Sequence, residues 1–418
     1  FIIVGYTNIS TMWLLKLNSN GDTLWTKTYD GASGSSIQLT SDGNFIITGS
    51  GLGAYDTDVW LLKTNTDGDS LWLKTFNYES NDWGNEVRET SDGGYIIVGG
   101  NGIYGFAPDV YIAKADSNGD SLWTRNIYGG LIDTVDAEAY SVQETSDGGY
   151  IFVGHKEITG EDDRNMFIMK LNSVGDSLWT KIYGGAGWDV GYSIEKTSDG
   201  AFIIAGFTDS YGVGPSVYLL KVNQFGDTIW TKTYGGPDYE GAESVSETSD
   251  GGFIICGSNI ASGSFNVYLL KTNNQGDSLW AKGYGDSVLD EGGFSVQETS
   301  DGGYIVAGER NSNLSDVFIV RTEPDPSIVE EANNPKLENR YLKLLISPNP
   351  FTTSTTINLT TIEHRVESIE LNIYDASGRL VKSVPLTTNH LSLGTDLLPG
   401  IYFLKLNGKP VGKVVKVR

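Results

Sequence analysis

Three short motifs recur in a fixed order along residues 1–323, and this periodicity limits the available folds more than any other property of the chain. The first is TSDG, whose aspartates are Asp42, Asp92, Asp147, Asp199, Asp250 and Asp301. The second is an apolar run closed by glycine (FIIVG, FIITG, YIIVG, YIFVG, FIIAG, FIICG and YIVAG). Its glycines are Gly5, Gly49, Gly99, Gly154, Gly206, Gly257 and Gly308. The third is GD(S/T)(L/I)W, with Trp25, Trp72, Trp123, Trp179, Trp230 and Trp280. A unit of roughly fifty residues repeated in this way points to an architecture in which neighbouring units bury one another.

Each unit reads as four short strands. The first has the pattern SVQET and runs into the SDGG turn. The second is the apolar run, apolar on both faces, as a strand sandwiched between sheets requires. The third has the DVYLLKT pattern. The fourth, LWTKTY, alternates apolar with polar residues, as a partly wet outer strand does. In SDGG the aspartate can close an Asx-turn while glycine supplies a positive φ. In N-x-x-G-D, glycine again takes the left-handed position. The tryptophan after that turn is expected to wedge between adjacent units.

Four strands per unit without helical periodicity specify a blade, and blades packed radially solve the sheet-edge problem. The expected fold is all-β: a seven-bladed β-propeller of four-stranded blades over residues 1–323. The chain shows seven strands of the second and third types but six of the first and fourth. It enters at Phe1 on a second strand and leaves after Arg321 on a third. The first and last blades are therefore expected to be incomplete, with a stretch preceding Phe1 supplying the missing pair.

The segment KLNSNGDTLWTKTY resembles the tryptophan-docking repeat of quinoprotein-type propellers, and the whole unit is similar to bacterial SBBP-type repeats. NTDGDSLW (Asn65–Trp72) is also similar to the Asp-box of sialidases, although it lacks that motif's glycine two residues after the aspartate. In these families the motifs are architectural, so the resemblance implies a fold and little about activity. Quinoprotein dehydrogenases commonly use an adjacent cysteine pair, whereas Cys256 is the one cysteine of this chain. Quinone chemistry is therefore not expected. Cys256 lies in FIICG and reads as a buried, inert thiol, and a disulfide within the chain is excluded.

After Arg321 the repeat stops. Residues 324–345 form a connector containing proline and charge. Residues 346–418 read as a small all-β domain with strands TTINL, SIELNIYD, GRLVKSVPL, GIYFLKL and GKVVKVR. Turns at Ala376-Ser377-Gly378 and Pro399-Gly400 separate them, and the size suggests an Ig-like β-sandwich. Three landmarks precede the basic terminus KVVKVR: SPNPF (Ser347–Phe351), NIYDASGRLV (Asn372–Val381) and LPGIYFLKL (Leu398–Leu406). Together they resemble the type A sorting domain of type IX secretion cargo. That resemblance implies a protein of a Bacteroidota-type bacterium, carried across the outer membrane by the type IX machinery and then released or held at the cell surface. It also implies a signal peptide, expected ahead of Phe1 in a longer chain.

Charge separates the two parts. The net charge of −24 resides in the repeat region, whereas residues 346–418 carry more bases than acids. So acidic a surface repels nucleic acid and anionic membranes. No apolar stretch approaches the ~20 residues of a membrane-spanning helix.

Function has to be sought on one face of the ring. The SDGG and N-x-x-G-D turns share a face and vary little between copies. The loops between second and third strands, and those between units, share the opposite face and differ in every copy, as binding surfaces do. The inter-unit loops pair acids with aromatics: Asp82 and Trp83 in NDWGN, and Trp188 and Asp189 in AGWDVGY. Asp238, Tyr239 and Glu240 follow in PDYEG, then Asp290 and Glu291 in SVLDEGG. These are the candidate ligand-binding residues, because aromatic faces beside carboxylates suit sugar rings. They also read as ordinary solvated turn acids with aromatics wedged between blades.

Other residue types add little. The turn Asn65-Thr66-Asp67-Gly68-Asp69 offers hard oxygen ligands to calcium. Asn20 and Asn118 replace Asp67 in sister copies, however, and no bidentate glutamate follows, so no cofactor is expected. His155, the one histidine of the repeat region, reads as a surface imidazole. Lys16, Lys63, Lys114, Lys170, Lys221 and Lys271, with Arg321, recur at one strand position and read as a blade-to-blade ion pair or a packed stem. No catalytic pair stands out, so an enzyme is not the favoured reading. The leading expectation is an exported binding or adhesion module for a polysaccharide or protein. The alternatives are a polysaccharide hydrolase of the endoglucanase kind and a structural spacer for an upstream catalytic domain.

Overall fold

The structure, a computed structural model, describes residues 1–323 apart from 7–10, 20, 54–55, 78–80, 103–107, 128–135, 158–163, 262, 286–287 and 312–314. It also describes 343–347, 355–360, 369–375, 379–386, 390–393, 397–398, 400–406 and 409–416. The chain divides into two compact units, Phe1–Val329 and Glu330–Arg418.

The first unit is a seven-bladed propeller whose blades are antiparallel sheets of sequence-consecutive strands. Blades 2 to 6 have four strands each and span residues 32–76, 81–127, 137–183, 189–234 and 240–284. Blade 1 (2–30) has three strands, of the second, third and fourth types; blade 7 (290–321) has three, of the first, second and third types. First strands of successive blades pack on one another, which places them innermost. Fourth strands such as Ser177–Tyr183 alternate between exposed and half-buried positions, as expected of an outer rim.

The core lies between blades. One cluster joins Ile46, Val59 and Leu61 of blade 2 to Val87, Ile97 and Tyr111 of blade 3. Equivalent clusters join each later pair of neighbours. Second strands of blades 2 to 6 are apolar on both faces because each is buried against a blade on either side. A fully buried Ile or Leu in such a place contributes about 1.5–3 kcal/mol.

The glycine closing the apolar run of blades 2 to 7 has a packing cause. Opposite it the first strand bulges, with register shifts at Gly34/Ser36, Gly84/Glu86, Ala139/Ser141, Gly191/Ser193, Ala242/Ser244 and Gly293/Ser295. The bulge brings a carbonyl onto the glycine: a Cβ on Gly99 would lie 1.9 Å from the Trp83 oxygen, and one on Gly206 1.9 Å from that of Val190. Only glycine fits such an approach.

The turns behave as their residues require. In SDGG the threonine hydroxyl and the amide two residues on both donate to the aspartate, as Thr90 (2.5 Å) and Gly94 (2.9 Å) do to Asp92. The glycine between adopts φ near +80°, as at Gly93. The recurrent third-strand lysine has the packed stem that is one of its two readings, being buried at Lys63, Lys114, Lys170, Lys221 and Lys271, but its ion pair is not between blades. Lys63, Lys114, Lys170, Lys221 and Lys271 pair with Asp42, Asp92, Asp147, Asp199 and Asp250 of their own blade at 2.7–3.0 Å. The link is within a blade because the third strand lies next to the second, whose leading turn carries the aspartate. Blade-to-blade pairs come from the fourth strand instead: Lys27–Asp69, Lys74–Asp120, Lys181–Asp227 and Lys232–Asp277. Beside them the fourth-strand tryptophan does wedge between blades. A Cβ on Gly68 would meet Trp25 at 2.8 Å, and one on Gly226 would meet Trp179 at 2.7 Å.

In the second unit, Lys343–Ser347, Thr355–Thr360 and His390–Leu393 form one antiparallel sheet. Leu380–Leu386, Ile369–Asp375, Gly400–Leu406 and Lys409–Lys416 form another. Leu371, Ile373 and Leu404 are buried. The first of these strands starts at Lys343, inside the segment read as a connector. The rest of that connector, most of SPNPF, the turn Ala376-Ser377-Gly378 and Pro399 lie outside the described residues.

Candidate functional site

The bulge in each first strand extrudes one residue beside the central channel: Ser35, Asn85, Tyr140, Tyr192, Glu243 and Phe294 in blades 2 to 7. The next residue is serine in every one of these blades but blade 3, and in blades 2, 4, 5 and 6 its hydroxyl accepts from the backbone of the following blade. Ile194 N–H donates to Ser141 Oγ (3.1 Å) and Val245 N–H to Ser193 Oγ (3.3 Å). In blade 3 Glu86 replaces the serine, and its carboxylate accepts from Val142 N–H (2.7 Å) and Ser141 Oγ (2.8 Å). The serine position is architectural, while the extruded position beside it is free to vary.

On blades 3 and 4 the extruded residues are tied into a network. Glu138 accepts from Trp83 Nε1 (2.6 Å), Asn85 Nδ2 (2.8 Å) and the Tyr140 hydroxyl (3.2 Å). The Tyr140 ring stacks on His155 at 5.6 Å, and its hydroxyl meets His155 Nδ1 at 3.0 Å. His155 Nε2 donates to Asp136 (3.1 Å), which also pairs with Arg164 (2.5 Å). His155 and Arg164 hold the Asp136 carboxyl below the usual range against the upward push of burial. His155 is thus not a surface imidazole but 2% exposed, because the strand continues past the glycine to pair with Glu138 on the inner strand.

On blades 5 and 6 the pattern reverses. Tyr192 packs on Tyr140 at 5.0 Å. Tyr239 stacks on Phe207 and meets Phe265 edge-on, both at 5.4 Å. Gly241 lies under its hydroxyl, where a Cβ would come within 2.6 Å. Glu243 is enclosed by protein on nearly all sides yet keeps some surface at the channel, and burial pushes its carboxyl up to about 7. Burial, then the nearby Glu243, raises the Tyr192 and Tyr239 hydroxyls as well, Tyr239 to about 12. Among the described residues, no side-chain hydrogen bond engages the Tyr192 hydroxyl, the Tyr239 hydroxyl or the Glu243 carboxyl.

The residues singled out from sequence are distributed one loop per blade over blades 3, 5, 6 and 7. Asp82, Asp189, Glu240 and Glu291 occupy the same position of the inner strand. Asp82 is fully buried and accepts from Asn101. Asp189 is fully buried and accepts from Ser210 Oγ (2.5 Å) and Gly185 N–H (2.9 Å). Glu240 accepts from Gly236 N–H (3.1 Å), and buried Glu291 pairs with Arg310 (2.7 Å). These carboxylates fasten the loops internally. Trp83 is half-buried. Trp188 lies at the rim with the Arg164 guanidinium 4.6 Å from its ring, and Asp238 is exposed. Asp290 accepts from Phe265 N–H (2.9 Å) and, with Glu291, lines a recess of about 240 Å³ that includes Ser258, Phe265, Phe294 and Glu309. Of the sequence candidates, Tyr239 lies near Glu243.

Sequence reasoning passes over Tyr140, Tyr192, Glu243 and Phe294. Aligning the inner strands exposes them: the column before the recurrent serine reads Ser, Asn, Tyr, Tyr, Glu, Phe. In the Asn65–Asp69 turn, the Asn65 side-chain carbonyl accepts the Asp67 and Asp69 amides, and Asp69 pairs with Lys27 (2.8 Å). No cluster of metal-ligating side chains occurs among the described residues. Cys256 is fully buried and burial raises its thiol pKa. No described helix is long and apolar enough to cross a membrane.

Comparison with known proteins adds three findings. Residues 345–417 match the family of secretion system C-terminal sorting domains. No curated protein sequence matches the chain. Similar solved structures include a protein of unknown function from Dyadobacter fermentans at 11% identity, covering 77% of this chain and 96% of that one, with a TM-score of 0.48. The Dos1 propeller shares 11% identity over 85% of this chain and 89% of its own, with a TM-score of 0.45. An α-L-arabinanase from Penicillium chrysogenum, complexed with arabinobiose, shares 9% over 69% and 92%, also at 0.45. At such identities the likeness concerns the fold alone.

Proposed function

We propose that this chain is an exported binding protein: a propeller whose variable face holds a glycan or protein ligand and whose C-terminal domain directs it through the type IX machinery to the medium or the cell surface. The observation that carries the binding half is the contrast between faces. On the turn face the Thr–Asp–Lys arrangement repeats almost atom for atom from blade to blade. On the other face the inner strands present a different side chain in nearly every blade. A rigid ring with one invariant and one diversified face suits recognition. The sorting-domain match over residues 345–417 supports the export half.

Deleting residues 346–418 and expressing the protein behind a signal peptide in a type IX-competent host tests export. The deleted form is expected to stay in the periplasm; normal appearance outside the cell refutes the assignment. A glycan array probed with the full chain tests the binding half.

One observation favours the hydrolase alternative. A carboxyl pushed up to about 7, as at Glu243, is what a general acid requires. A glycosidase also needs a second carboxylate across the scissile bond. Release of reducing ends from polysaccharide by the full chain, abolished in Glu243→Gln, would establish that reading over simple binding.

A further inference from the structure

Four contacts recur from blade to blade, and on blades 1 and 7 the receiving half of each stands uncovered. The glycine closing the second strand lies under a bulge carbonyl in blades 2 to 7, where a Cβ would come within 1.8–2.0 Å of the oxygen; on Gly5 of blade 1 it would meet nothing within 4 Å. A Cβ on Gly68, Gly119, Gly175, Gly226 or Gly276 would meet the fourth-strand tryptophan of the preceding blade at 2.6–3.0 Å, and on Gly21 again nothing within 4 Å. Third-strand lysines of blades 2 to 6 pair with the turn aspartate of their own blade, whereas Lys16 donates to the Thr66 carbonyl (2.7 Å). Ser41, Ser91, Ser198 and Ser249 each donate N–H and Oγ to the glutamate that ends the first strand of the following blade, at 2.7–2.9 Å. Ser300 of blade 7 has no such bond among the described residues.

The same two blades expose sheet edges. Among the described residues Ile2–Tyr6 pairs with Thr11–Leu17 alone, and Ser315–Arg321 with Tyr304–Asn311 alone. In blade 5 the corresponding strands, Phe202–Thr208 and Ser216–Val222, are paired on both sides and buried throughout. Ile2, Ile3 and Val4 are only half-buried, and Val317 is exposed. An apolar strand with a free edge is a template for another strand. The two edges ask for different ones. Blade 1 fits a first-type strand, whose bulge carbonyl would cover Gly5 and whose terminal glutamate would reach Ser300. Blade 7 fits a fourth-type strand, whose tryptophan would pair with Arg321, as Trp230 does with Lys221, and lie over Gly21. The lysine two residues on would meet Asp22, the counterpart of Asp69, Asp120, Asp227 and Asp277, now held by Asn18 (2.9 Å). A fourth strand leads directly into the first strand of the next blade, so one continuous pair serves both edges.

We infer that the seam between blades 7 and 1 is a docking site for one strand pair of the repeat's own kind, fourth-type then first-type, delivered by the same polypeptide ahead of Phe1. Lys16 and Gly5 indicate the source. A first-type strand antiparallel to Ile2–Tyr6 ends beside Phe1. In blades 2 to 6 the turn aspartate stands just ahead of the second strand, as Asp42 does of Phe45 and Asp92 of Tyr95, and reaches the third-strand lysine. A turn running straight into Phe1 therefore brings its aspartate to Lys16. A pair borrowed from a second copy would continue into its own second strand at the place that Ile2–Tyr6 occupies. The inference concerns closure of the ring and is independent of what the variable face binds.

The probe is the peptide Asp227–Gly252, which carries the fourth strand of blade 5, the first strand of blade 6 and the turn after it. Titration calorimetry of the full chain is expected to show binding of one peptide, weakened about tenfold or more by Trp230→Ala in the peptide. Gly5→Ala in the chain is the discriminating change. A Cβ there meets nothing, so the denaturation midpoint of the chain alone is expected to stay unchanged. It stands where the incoming carbonyl has to lie, so peptide affinity is expected to fall about tenfold or more. Residues 227–252 fused ahead of Phe1 are expected to raise the midpoint and abolish peptide binding, and in that form Gly5→Ala lowers the midpoint. Peptide binding that neither substitution weakens overturns the seam as its site. So does a Gly5→Ala effect of equal size with and without the fused segment, or a failure of both peptide and fusion to bind or stabilise. Dimerisation of the unfused chain that Gly5→Ala abolishes overturns the source and gives the seam to a second copy.

Discussion

The ammonium of Lys221 lies 2.7 Å from the Asp199 carboxylate, fastening the third strand of blade 5 to the turn between its first two. The lysine stem is buried while the aspartate is largely exposed, so the pair closes the lower end of the blade rather than its core. Lys221, then Thr197, holds the Asp199 carboxyl down to about 2. Asp147 is held to about 2 in the same way, by Thr145 and Lys170.

These depressed carboxyls make acid sensitivity the first expectation. A group whose folded pKa lies below its unfolded value stabilises the fold above the unfolded pKa, and that stability is lost as pH falls through the folded one. The window here runs from about pH 4 down to about pH 2. Because the carboxylates are solvent-screened, each pair contributes modestly. Lys221→Met keeps the packed stem and removes the charge. Its stability in urea is expected to fall less steeply than that of wild type between pH 4 and 2.5; parallel curves would show that the pair does not couple to folding.

Gly206→Ala addresses the bulge. The added Cβ would fall 1.9 Å from the Val190 carbonyl oxygen, with backbone and not a flexible side chain in the way. The inner strand has to retreat, at a cost of about 3 kcal/mol or more. Gly43→Ala is the control: its φ of +81° strains alanine, but nothing lies within 4 Å, so about 1 kcal/mol is expected. Chemical denaturation should separate the two clearly, and equal losses would mean that the bulge yields freely.

At the outer rim Trp179 and Lys181 both lie across Gly226 of the next blade. Trp179 packs against the apolar cluster joining blades 4 and 5, whereas Lys181 makes an exposed pair with Asp227. Truncating a large packed aromatic costs about 3 kcal/mol, and an exposed ion pair contributes little. Trp179→Ala is therefore expected to lower the denaturation midpoint markedly and Lys181→Ala scarcely at all. The reverse order would assign the junction to charge.

Much of this architecture is legible in the amino-acid sequence. The blade number, the strand types and both turns follow from residues with single physical uses: glycine where φ is positive, aspartate where an amide needs a partner, apolar runs where both faces are covered. The third-strand lysine keeps the packed stem expected of it, but its ion-pair partner and the burial of His155 depart from expectation for a common reason. The lysine's ion-pair partner and the burial of the imidazole both depend on which strand is lateral neighbour to which, and a repeat motif does not carry that. The loop acids Asp82, Asp189 and Glu291 read as ligand-facing carboxylates because composition cannot distinguish a solvated acid from one turned inward onto Asn101, Ser210 or Arg310. The extruded column is visible in the repeats, but its meaning requires the bulge.

Glu243 yields the last expectation, and its sign is opposite to that of the turn aspartates. Burial raises its carboxyl from 4.5 to about 7, so the folded state holds a proton that the unfolded chain releases. Stability from this residue is fully present below about pH 4.5 and declines as pH rises to about 7, after which it is constant. A displacement of this size corresponds to roughly 3 kcal/mol, enough to appear in denaturation of a whole domain. Glu243→Gln removes the titration and keeps the shape. The variant and wild type are expected to match near pH 5, with the variant gaining the advantage progressively toward pH 8. A constant difference across that range would mean that Glu243 is already ionised in the folded protein, with water entering the channel far enough to solvate it.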